Sequence, residues 1–383
     1  MTELGEKILS AAREEKEAMI SLLMGLAAME SPSDVPESQG PVQARLTEEL
    51  EDLGFRVRKL QGKETGGSLL AIPRARVRGH PAQLMLGHCD TVWAQGTLET
   101  MPLVLEGGRL RGPGVFDMKA GLTQMIVALR ILRKLGLEPE VTPVILVNSD
   151  EEIGSPESGR HIRRLARRVV RALIPEPGMG PEGKLKTIRK GWSNFTVKVT
   201  GKAAHAGLDP RAGASAILEI SHLVQALHGM TDLDEGITVN VGVISGGTRP
   251  NVIAPAATAE VDVRVLTTRQ AAEVREKILA LGATVPGTRV EILERGSVPP
   301  LEGTPRNRAL WEAAREAGAE LGMTLEEETA GGGSDGNTTS QFTATLDGLG
   351  AVGDGAHAAH EFLFVEKQVE RCALLARLLL LAP

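Results

Sequence analysis

The sequence predicts an α/β fold interrupted by an inserted ferredoxin-like α+β domain. Short apolar runs alternate with helical stretches in the first half of the chain and again near its end, which is typical of a sheet that is buried on both faces. Between these parts the strands alternate apolar and polar residues, as in a sheet with one solvated face. A chain of 383 residues also suits two domains better than one core.

Three apolar runs in the first half predict buried strands: Leu84–Leu86, Val144–Val147 and Ala172–Ile174. A helix is predicted at Gly121–Leu135, where apolar residues recur at spacings of three and four. The same pattern returns in a glycine-rich loop, an apolar run and a final helix, at Gly331–Gly336, Gly350–Gly353 and Lys367–Leu380. We therefore assign residues 1–188 and 299–383 to one discontinuous domain.

The inserted segment, residues 189–298, is predicted to contain strand, helix, strand, strand, helix and strand, in the split βαβ order. The corresponding stretches are Trp192–Thr200, Ala212–Leu227, Ile237–Ile244, Thr258–Val265, Arg269–Leu281 and Arg289–Glu294.

Composition excludes several classes of protein. The formal net charge of -6 disfavours nucleic-acid binding, and two cysteines are too few for a disulfide scaffold. The N-terminal segment mixes charged and apolar residues, unlike a signal peptide. The apolar run Ala373–Ala382 is short and contains Arg377, so it does not predict a membrane span. We expect a cytoplasmic protein without a membrane partner.

Acidic residues and histidines follow the predicted strands. His88 and Asp90 follow the first run, Asp150–Glu152 the second, Glu176 the third, and His357 the run near the end, while Asp117 precedes the first-half helix. Ligands of α/β sheets bind outside the carboxyl ends of strands. Imidazole and carboxylate without thiolate favour zinc, with cobalt or manganese as substitutes. There are enough ligands for two metals that share a carboxylate.

Each of these residues has a simpler explanation when taken alone. Asp150–Glu152 fits a solvated turn, Asp117 a helix N-cap, and His357 an exposed site. Glu176 fits a plain loop residue, and Cys89 fits a buried packing thiol. Their joint occurrence at successive strand ends favours a metal site.

The sequence also resembles the dizinc metallopeptidases and deacylases typified by glutamate carboxypeptidase, whose relatives include desuccinylases, acetylornithine deacetylases, aminoacylases and aminotripeptidases. The resemblance spans almost the whole chain. It rests on Gly87-His88-x-Asp90-Thr91, Gly112-x-Gly114-Val115-x-Asp117-Met118-Lys119-x-Gly121, Asp150-Glu151-Glu152-x-Gly154-Ser155, Glu176-Pro177, Gly201-Lys202-x-x-His205-Ala206-Gly207, Asn251-Val252-Ile253-x-Pro255, Gly332-Gly333-Ser334-Asp335 and Gly355-Ala356-His357-x-x-x-Glu361.

This resemblance implies a mixed-sheet, zinc-exopeptidase-like catalytic domain whose insertion serves as a lid and dimerisation domain. Two Zn²⁺ per subunit are implied, one held by His88 and Glu176 and the other by Glu152 and His357. Asp117 would bridge them, and the peptide bond after it, Asp117–Met118, would be cis.

The resemblance further implies catalytic roles. Asp90 would orient His88. Glu151 would take a proton from the attacking water and pass it to the leaving amine. His205 would donate to the oxyanion in the partner subunit's site, across a homodimer formed by the inserted domains; the alternative is an ordinary loop histidine.

Four further positions match substrate-binding positions of the family: Lys184, Asn251, Arg264 and Gly333. An equally good explanation of Arg264 is a cross-strand ion pair. One position departs from the pattern, because Ser297 stands where glutamate carboxypeptidase has a second arginine. The loss of a guanidinium clamp argues against an acidic C-terminal side chain, whereas Lys184 argues for it.

The implied activity is zinc-dependent hydrolysis of an amide bond next to a free carboxylate in a small peptide or N-acyl amino acid. The carboxypeptidase type, releasing C-terminal glutamate or a similar amino acid, is favoured over an N-acyl-amino-acid deacylase. A non-catalytic metal-binding relative is a third possibility, disfavoured because Glu151, Asp90 and His205 are all present. A dehydrogenase is excluded by the lack of a Gly-x-Gly-x-x-Gly turn after the first strand.

Overall fold

The structure, a computed structural model, describes residues 1–77 and 79–383. The described residues form two compact units. The first unit contains residues 1–187, 303–330 and 334–383, and the second contains 188–302 and 331–333. The domain boundaries at 188/189 and 298/299 stay a sequence-based prediction.

The helices of the described chain are α1 (Glu3–Glu14), α2 (Lys16–Ala27), α3 (Gly40–Asp52), α4 (Ala120–Leu135), α5 (Gly159–Ala166), α6 (Ala216–His228), α7 (Thr268–Leu279), α8 (Pro305–Glu320), α9 (Asp335–Ser340) and α10 (Val365–Leu379). The strands are β1 (Phe55–Leu60), β2 (Ser68–Pro73), β3 (Ala82–His88), β4 (Val104–Glu106), β5 (Arg109–Arg111), β6 (Thr142–Asn148), β7 (Arg171–Ile174), β8 (Leu185–Arg189), β9 (Gly191–Thr200), β10 (Thr238–Gly246), β11 (Ala256–Val265), β12 (Arg289–Val298), β13 (Glu327–Ala330), β14 (Ala344–Asp347), β15 (Gly353–Asp354) and β16 (Phe362–Phe364).

The first unit is built on an eight-stranded mixed sheet with the order β1-β2-β6-β3-β7-β14-β8-β13. Strands β6, β3, β7 and β14 are parallel, whereas β1, β2 and β8 pair antiparallel with their neighbours. The three predicted apolar runs lie in β3, β6 and β7, and their side chains are buried. The α/β fold and the three buried strands are therefore confirmed.

The strand predicted at Gly350–Gly353 is wrong for residues 350–352, because only Gly353 lies in a strand, β15 of the small sheet described below. The strand of the main sheet in this region is β14, several residues earlier, and Gly348 turns the chain after it with a φ of 76°. Ala351 and Val352 are buried, but this segment pairs with the loop after β7. Gly350 N–H donates to the Glu176 carbonyl, and Gly178 N–H donates to the Ala351 carbonyl, both at 2.8 Å. The sequence therefore predicts the burial of this run correctly but not the segment to which it is hydrogen-bonded.

A second, small sheet in the first unit was not predicted from sequence. Strands β15, β16, β5 and β4 pair in that order, and each has only two or three residues. Such short strands carry too little periodicity to be recognised. This sheet joins the chain segment before α4 to the segment before α10.

Helices α4 and α10 confirm the helices predicted at Gly121–Leu135 and Lys367–Leu380 within one residue or two. Helix α4 approaches the main sheet closely at Gly121, where a Cβ atom would lie 2.0 Å from the Pro175 carbonyl oxygen. A glycine is required there because any side chain would collide with the backbone. None of the described helices is long and apolar enough to cross a membrane.

The second unit has the predicted order β9-α6-β10-β11-α7-β12. Its antiparallel sheet has the strand order β10-β11-β9-β12, which is the ferredoxin-like arrangement. The apolar faces of β9 and β11 pack in its core. Helix α6 starts at Ala216 rather than Ala212, because the Ser215 side chain caps it by accepting from Leu218 N–H.

A fully buried carboxylate holds one loop of the second unit. Glu219 of α6 accepts hydrogen bonds from the N–H groups of Thr284 and Val285 and from the hydroxyl groups of Thr284 and Thr288, at 2.6–3.2 Å. A buried charge is tolerated only when it is hydrogen-bonded in this way. Glu219 is therefore a structural residue of this loop.

We predict that Glu219→Ala lowers the free energy of unfolding by about 3 kcal/mol, because several N–H and hydroxyl donors lose their acceptor and a cavity replaces a buried side chain. Urea unfolding followed by circular dichroism measures this change. Glu273→Gln on the exposed surface of α7, where Glu273 pairs with Arg269 at 2.8 Å, is the control and should cost about 0.5 kcal/mol or less. Equal effects of the two substitutions would contradict the structural role of Glu219.

Candidate metal centre

Three parallel strands deliver the first group of site residues to one edge of the main sheet. His88 is the last residue of β3 and pairs in register with Asn148, the last residue of β6. Residues 150–152 follow β6, and Glu176 comes two residues after β7. Because these strands are parallel neighbours, their carboxyl ends lie side by side.

Two histidines and two glutamates meet around Asp117. His88 Nε2 lies 3.4 Å from Asp117 Oδ1 and 3.5 Å from Glu176 Oε1. His357 Nε2 lies 3.5 Å from Asp117 Oδ2 and 3.1 Å from Glu152 Oε2. Asp117 therefore turns one carboxylate oxygen toward each histidine. All five side chains predicted as metal ligands come together.

These distances fit two divalent cations. Ligand atoms of a tetrahedral zinc with bonds of about 2.0–2.1 Å lie roughly 3.3–3.4 Å from one another, close to the separations around Asp117. Among the described residues, Asp117 Oδ1 and Glu152 Oε1 are also buried without a hydrogen-bond donor. Buried carboxylate oxygens without donors are suited to bind a cation.

Asp117 lies in an irregular turn between β5 and α4. Its φ and ψ of −115° and 105° are not helical, and the Asp117–Met118 peptide bond is cis, as the resemblance implied. The N-cap residue of α4 is Lys119, which makes no side-chain capping bond. The helix-cap explanation of Asp117 is therefore wrong.

The small sheet brings His357 to the site. His357 lies in the turn between β15 and β16, and β16 pairs with β5, the strand before the Asp117 turn. The φ of His357 is 62°, an uncommon conformation for a residue with a side chain. Its side chain is 51% exposed, as the simpler explanation expects, but it also contacts Asp117 and Glu152.

Asp90 connects His88 with the segment after β6. Its side chain is buried, and Asp90 Oδ1 lies 3.4 Å from His88 Nδ1. Its carboxylate also accepts from the N–H groups of Glu151 and Glu152, at 3.3 and 3.2 Å, and from the Ser33 hydroxyl at 2.7 Å. His88 Nδ1 lies closer still, at 3.0 Å, to the Asp90 backbone carbonyl. Ser33 belongs to no recognised motif, so sequence reasoning missed it.

Several pKa values are perturbed because carboxylates crowd around the histidines. Burial lowers the pKa of His88, but Asp117, Asp90 and Glu176 outweigh it and the net pKa is raised. Hydrogen bonds to Asp117 and Glu152 raise the pKa of His357 to about 10. Burial raises the pKa of Glu151, with Glu176 adding to the effect. The excess of negative charge suits a site for cations.

Two buried acids that sequence reasoning left without a role support the site. Asp335 accepts from Asn148 Nδ2 at 2.7 Å and from the Ser155 hydroxyl at 2.6 Å, which anchors both ends of the 150–152 segment. Burial raises the pKa of Asp335 to about 7. Burial also raises the pKa of Glu361 to about 7, although backbone N–H donors oppose it. Both lie in recognised motifs, which was the available signal.

His205 and Asn251 belong to the second unit, where their loops are adjacent. Ala206 N–H donates to the Asn251 carbonyl at 3.0 Å, and the backbones of His205 and Val252 form an isolated antiparallel β-bridge. His205 is exposed, and its Nδ1 accepts from the N–H groups of Gly207 and Leu208, at 3.2 and 3.1 Å. A neutral His205 therefore carries its proton on Nε2.

Three predicted substrate-binding positions are engaged within their own units. Arg264 Nε lies 2.9 Å from Asp262 Oδ2 on the same strand, so the ion pair exists but is not cross-strand. Gly333 offers its carbonyl to Arg189 Nη2 at 2.8 Å. Lys184 Nζ lies 3.3 Å from Glu328 Oε2 and 3.7 Å from Glu326 Oε2. These contacts leave the substrate-binding roles as proposals.

Comparison with known proteins places this chain among peptidases. Residues 84–381 match the model of peptidase family M20/M25/M40. Carboxypeptidase G2 of Pseudomonas sp. (strain RS-16) is 29% identical over 382 residues, covering 97% of this chain and 91% of that protein. Aminopeptidase PepT from Bacillus cereus has a TM-score of 0.81 at 21% identity, covering 95% of this chain and 98% of that chain. The Bacillus subtilis YXEP protein, described as a dinuclear metal binding peptidase from the M20 family, has a TM-score of 0.70 at 17% identity, covering 96% and 98%.

We predict that protein stripped by a chelator binds two Zn²⁺ per chain and gains melting temperature on binding. Asp117→Asn should weaken zinc binding by about 100-fold or more, because loss of an outer partner alone costs about 10–100-fold. Calorimetric titration measures stoichiometry and affinity, with Asp52→Asn on the exposed end of α3 as the control. Wild-type binding of less than one Zn²⁺ per chain would contradict the site.

Proposed function

This chain belongs to peptidase family M20/M25/M40, and we propose that it is a dizinc carboxypeptidase that cleaves the amide bond next to a free carboxylate. As a member of that family it is a metallo-hydrolase with a dinuclear metal site. The observation that carries the proposal is the sharing of Asp117 between His88 and His357, at 3.4 and 3.5 Å.

The proposed ligands are His88 and Glu176 for one ion, Glu152 and His357 for the other, and Asp117 for both. When bound, the cations would polarise the scissile carbonyl and lower the pKa of water. The chain's own residues orient these ligands. The Asp90 carboxylate contacts His88 Nδ1 and accepts hydrogen bonds from the backbone N–H groups of residues 151 and 152. Zinc is the proposed metal because the donors are imidazole and carboxylate.

Glu151 is the proposed general base. A carboxylate oxygen of Glu151 lies within 4.8 Å of ligand atoms of His88 and Glu176, so it is next to the proposed ligands while Glu152 is one of them. In this role Glu151 takes the proton from the attacking water and gives it to the leaving amine. The Nε2–H of His205 is the proposed donor to the oxyanion.

The released residue is proposed to be glutamate or a similar amino acid. Lys184 would support an acidic side chain, and Asn251, Arg264 and Gly333 would hold the terminal carboxylate and backbone. Two observations favour a second candidate, an N-acyl-amino-acid deacylase. Ser297 replaces the expected arginine, and Lys184 is paired with Glu328 and Glu326. Both reduce the positive charge available for an acidic side chain.

A homodimer through the inserted domain is proposed from the exposed edge of the second unit. Strand β10 lies at the edge of its sheet, where Val243 and Ile244 are 60% and 57% exposed. Ile217 and Leu218 of α6 are also exposed apolar residues. An apolar edge strand is suited to pairing with a second copy of the chain. The cytoplasmic location stays a prediction.

The function is tested with peptides and N-acyl amino acids that differ only in the C-terminal residue, each with a C-terminal amide counterpart. We expect zinc-dependent hydrolysis of the free acids, with glutamate giving the highest kcat/KM, and no hydrolysis of the amides. Better hydrolysis of neutral N-acyl amino acids would favour the deacylase. Full activity after chelation, or rapid hydrolysis of the amides, would contradict both candidates.

The chain's own contribution is checked with Glu151→Gln. This variant should bind zinc as the wild type does but lose about 10²–10⁴-fold in kcat, the usual contribution of a general base. Glu138→Gln, on the surface after α4, is the matched control and should leave kcat unchanged.

The dimer and the role of His205 are tested by mixing two inactive variants. If His205 acts in the partner's site, His205→Ala mixed with Glu151→Gln forms heterodimers with one intact site, and about a quarter of wild-type activity returns. Ile244→Lys should shift the protein to a monomer in light scattering and prevent this rescue. Subunit exchange without rescue would show that His205 does not act across subunits.

A further inference from the structure

Glu361 is a completely buried acid that the mechanism above does not use. Its side chain accepts four hydrogen bonds, two on each oxygen. Oε2 accepts from Trp93 Nε1 at 2.7 Å and from Gly114 N–H at 2.9 Å, and Oε1 accepts from the N–H groups of Phe116 and Asp117, at 2.9 and 3.1 Å.

Three of these four donors belong to the turn that carries Asp117. Gly114, Phe116 and Asp117 all point a backbone N–H at the same carboxylate. A backbone–backbone hydrogen bond also joins the two segments, because Gly112 N–H donates to the Glu361 carbonyl at 3.2 Å. The turn has irregular dihedral angles, so its own secondary structure does not fix where Asp117 points.

Glu361 also ends the turn that carries His357. Its own N–H donates to the Ala358 carbonyl at 2.9 Å, and β16 starts at the next residue. Gly355 opens this turn with a φ of 85°, and a Cβ there would lie 2.8 Å from Glu361 N and Cα. The two turns therefore meet at one residue, Glu361, whose backbone contacts the His357 turn and whose side chain contacts the Asp117 turn. Asp117 Oδ2 and His357 Nε2, one from each turn, lie 3.5 Å apart.

We propose that Glu361 is a positioning residue for the metal centre, which holds Asp117 and His357 at the separation that a shared carboxylate requires. This inference rests on the proposed metal site. Glu361 would do for these two ligands what Asp90 does for His88. Neither the Glu361 carboxylate nor the indole and backbone N–H groups that donate to it need to touch a metal ion or the substrate.

The chain offers a matched control in Glu219, whose side chain is likewise inaccessible to solvent and also accepts four hydrogen bonds. Its donors belong to the 284–288 loop of the second unit, which contains no proposed ligand. Removal of either carboxylate leaves several hydrogen-bond donors without their acceptor, so both substitutions destabilise the protein. Only the removal of the Glu361 carboxylate should weaken zinc binding.

The experiment compares Glu361→Ala and Glu219→Ala in the full chain. Zinc affinity is measured by competition with a chromophoric chelator, and kcat and KM are measured on the best substrate. We expect Glu361→Ala to weaken zinc binding by about 10–100-fold, as loss of an outer partner does, and to lower kcat at saturating zinc with little change in KM. Glu219→Ala should lower the melting temperature while zinc affinity and kcat stay at the wild-type values.

Trp93→Phe provides a second variant if Glu361→Ala does not fold. It removes one of the four donors and leaves the carboxylate in place, so zinc affinity should fall by a smaller factor. Trp311→Phe in α8 is the matched control, because Trp311 is also buried and its side chain bonds to the carboxylate of Glu327 rather than Glu361. The zinc affinity of this variant should not change. Wild-type zinc affinity in Trp93→Phe would then overturn the proposal.

The outcomes separate this inference from the proposed function. Wild-type zinc affinity and kcat in folded Glu361→Ala would overturn the positioning role while leaving the metallo-hydrolase intact. An equal loss of zinc affinity in Glu219→Ala would also overturn it, because general destabilisation would then explain the effect. If the wild-type protein itself binds no zinc, the proposed function fails first.

Discussion

Hydrogen bonding between the parallel strands β6, β3 and β7 sets the spacing of the side chains that follow them. Neighbouring strands lie about 4.8 Å apart, so residues just beyond three adjacent ends can reach a common point. His88, Glu152 and Glu176 all arrive in this way. The remaining two proposed ligands, Asp117 and His357, lie in turns next to strands of the small sheet, Asp117 after β5 and His357 between β15 and β16. A substitution that shifted one of these strands would therefore disturb several ligands together.

Electrostatics is the second constraint on the site. Carboxylates crowd around two imidazoles in a largely buried environment, which is costly unless positive charge balances them. The structure meets part of this cost with directed hydrogen bonds, to Asp90 from Ser33 and two backbone N–H groups and to Asp335 from Asn148 and Ser155. Two buried carboxylate oxygens, Asp117 Oδ1 and Glu152 Oε1, receive no such hydrogen bond. Acceptors without donors beside two histidines are what a cation site needs.

Sequence reasoning succeeded where the signal is local and failed where it is not. The runs at β3, β6 and β7 and the ferredoxin-like order could be recognised because burial dictates residue type along each element. The strand β14 was missed in favour of Gly350–Gly353, since both segments are buried and only the pairing differs. The small sheet was missed because two or three residues carry no period. Asp117 could be taken for a helix cap because its irregular turn is not visible in the sequence.

The sequence by itself determined the fold class, the order of both domains and the residue types that gather at the strand ends. It also determined the resemblance that names His88, Asp117, Glu151, Glu152, Glu176 and His357. Only the tertiary structure decided that Asp117 faces both histidines, that Lys184 and Arg264 have acidic partners, and that Glu361 joins the two ligand turns. These facts depend on distances between segments far apart in the chain, and periodicity and motif spacing report only on neighbours along it.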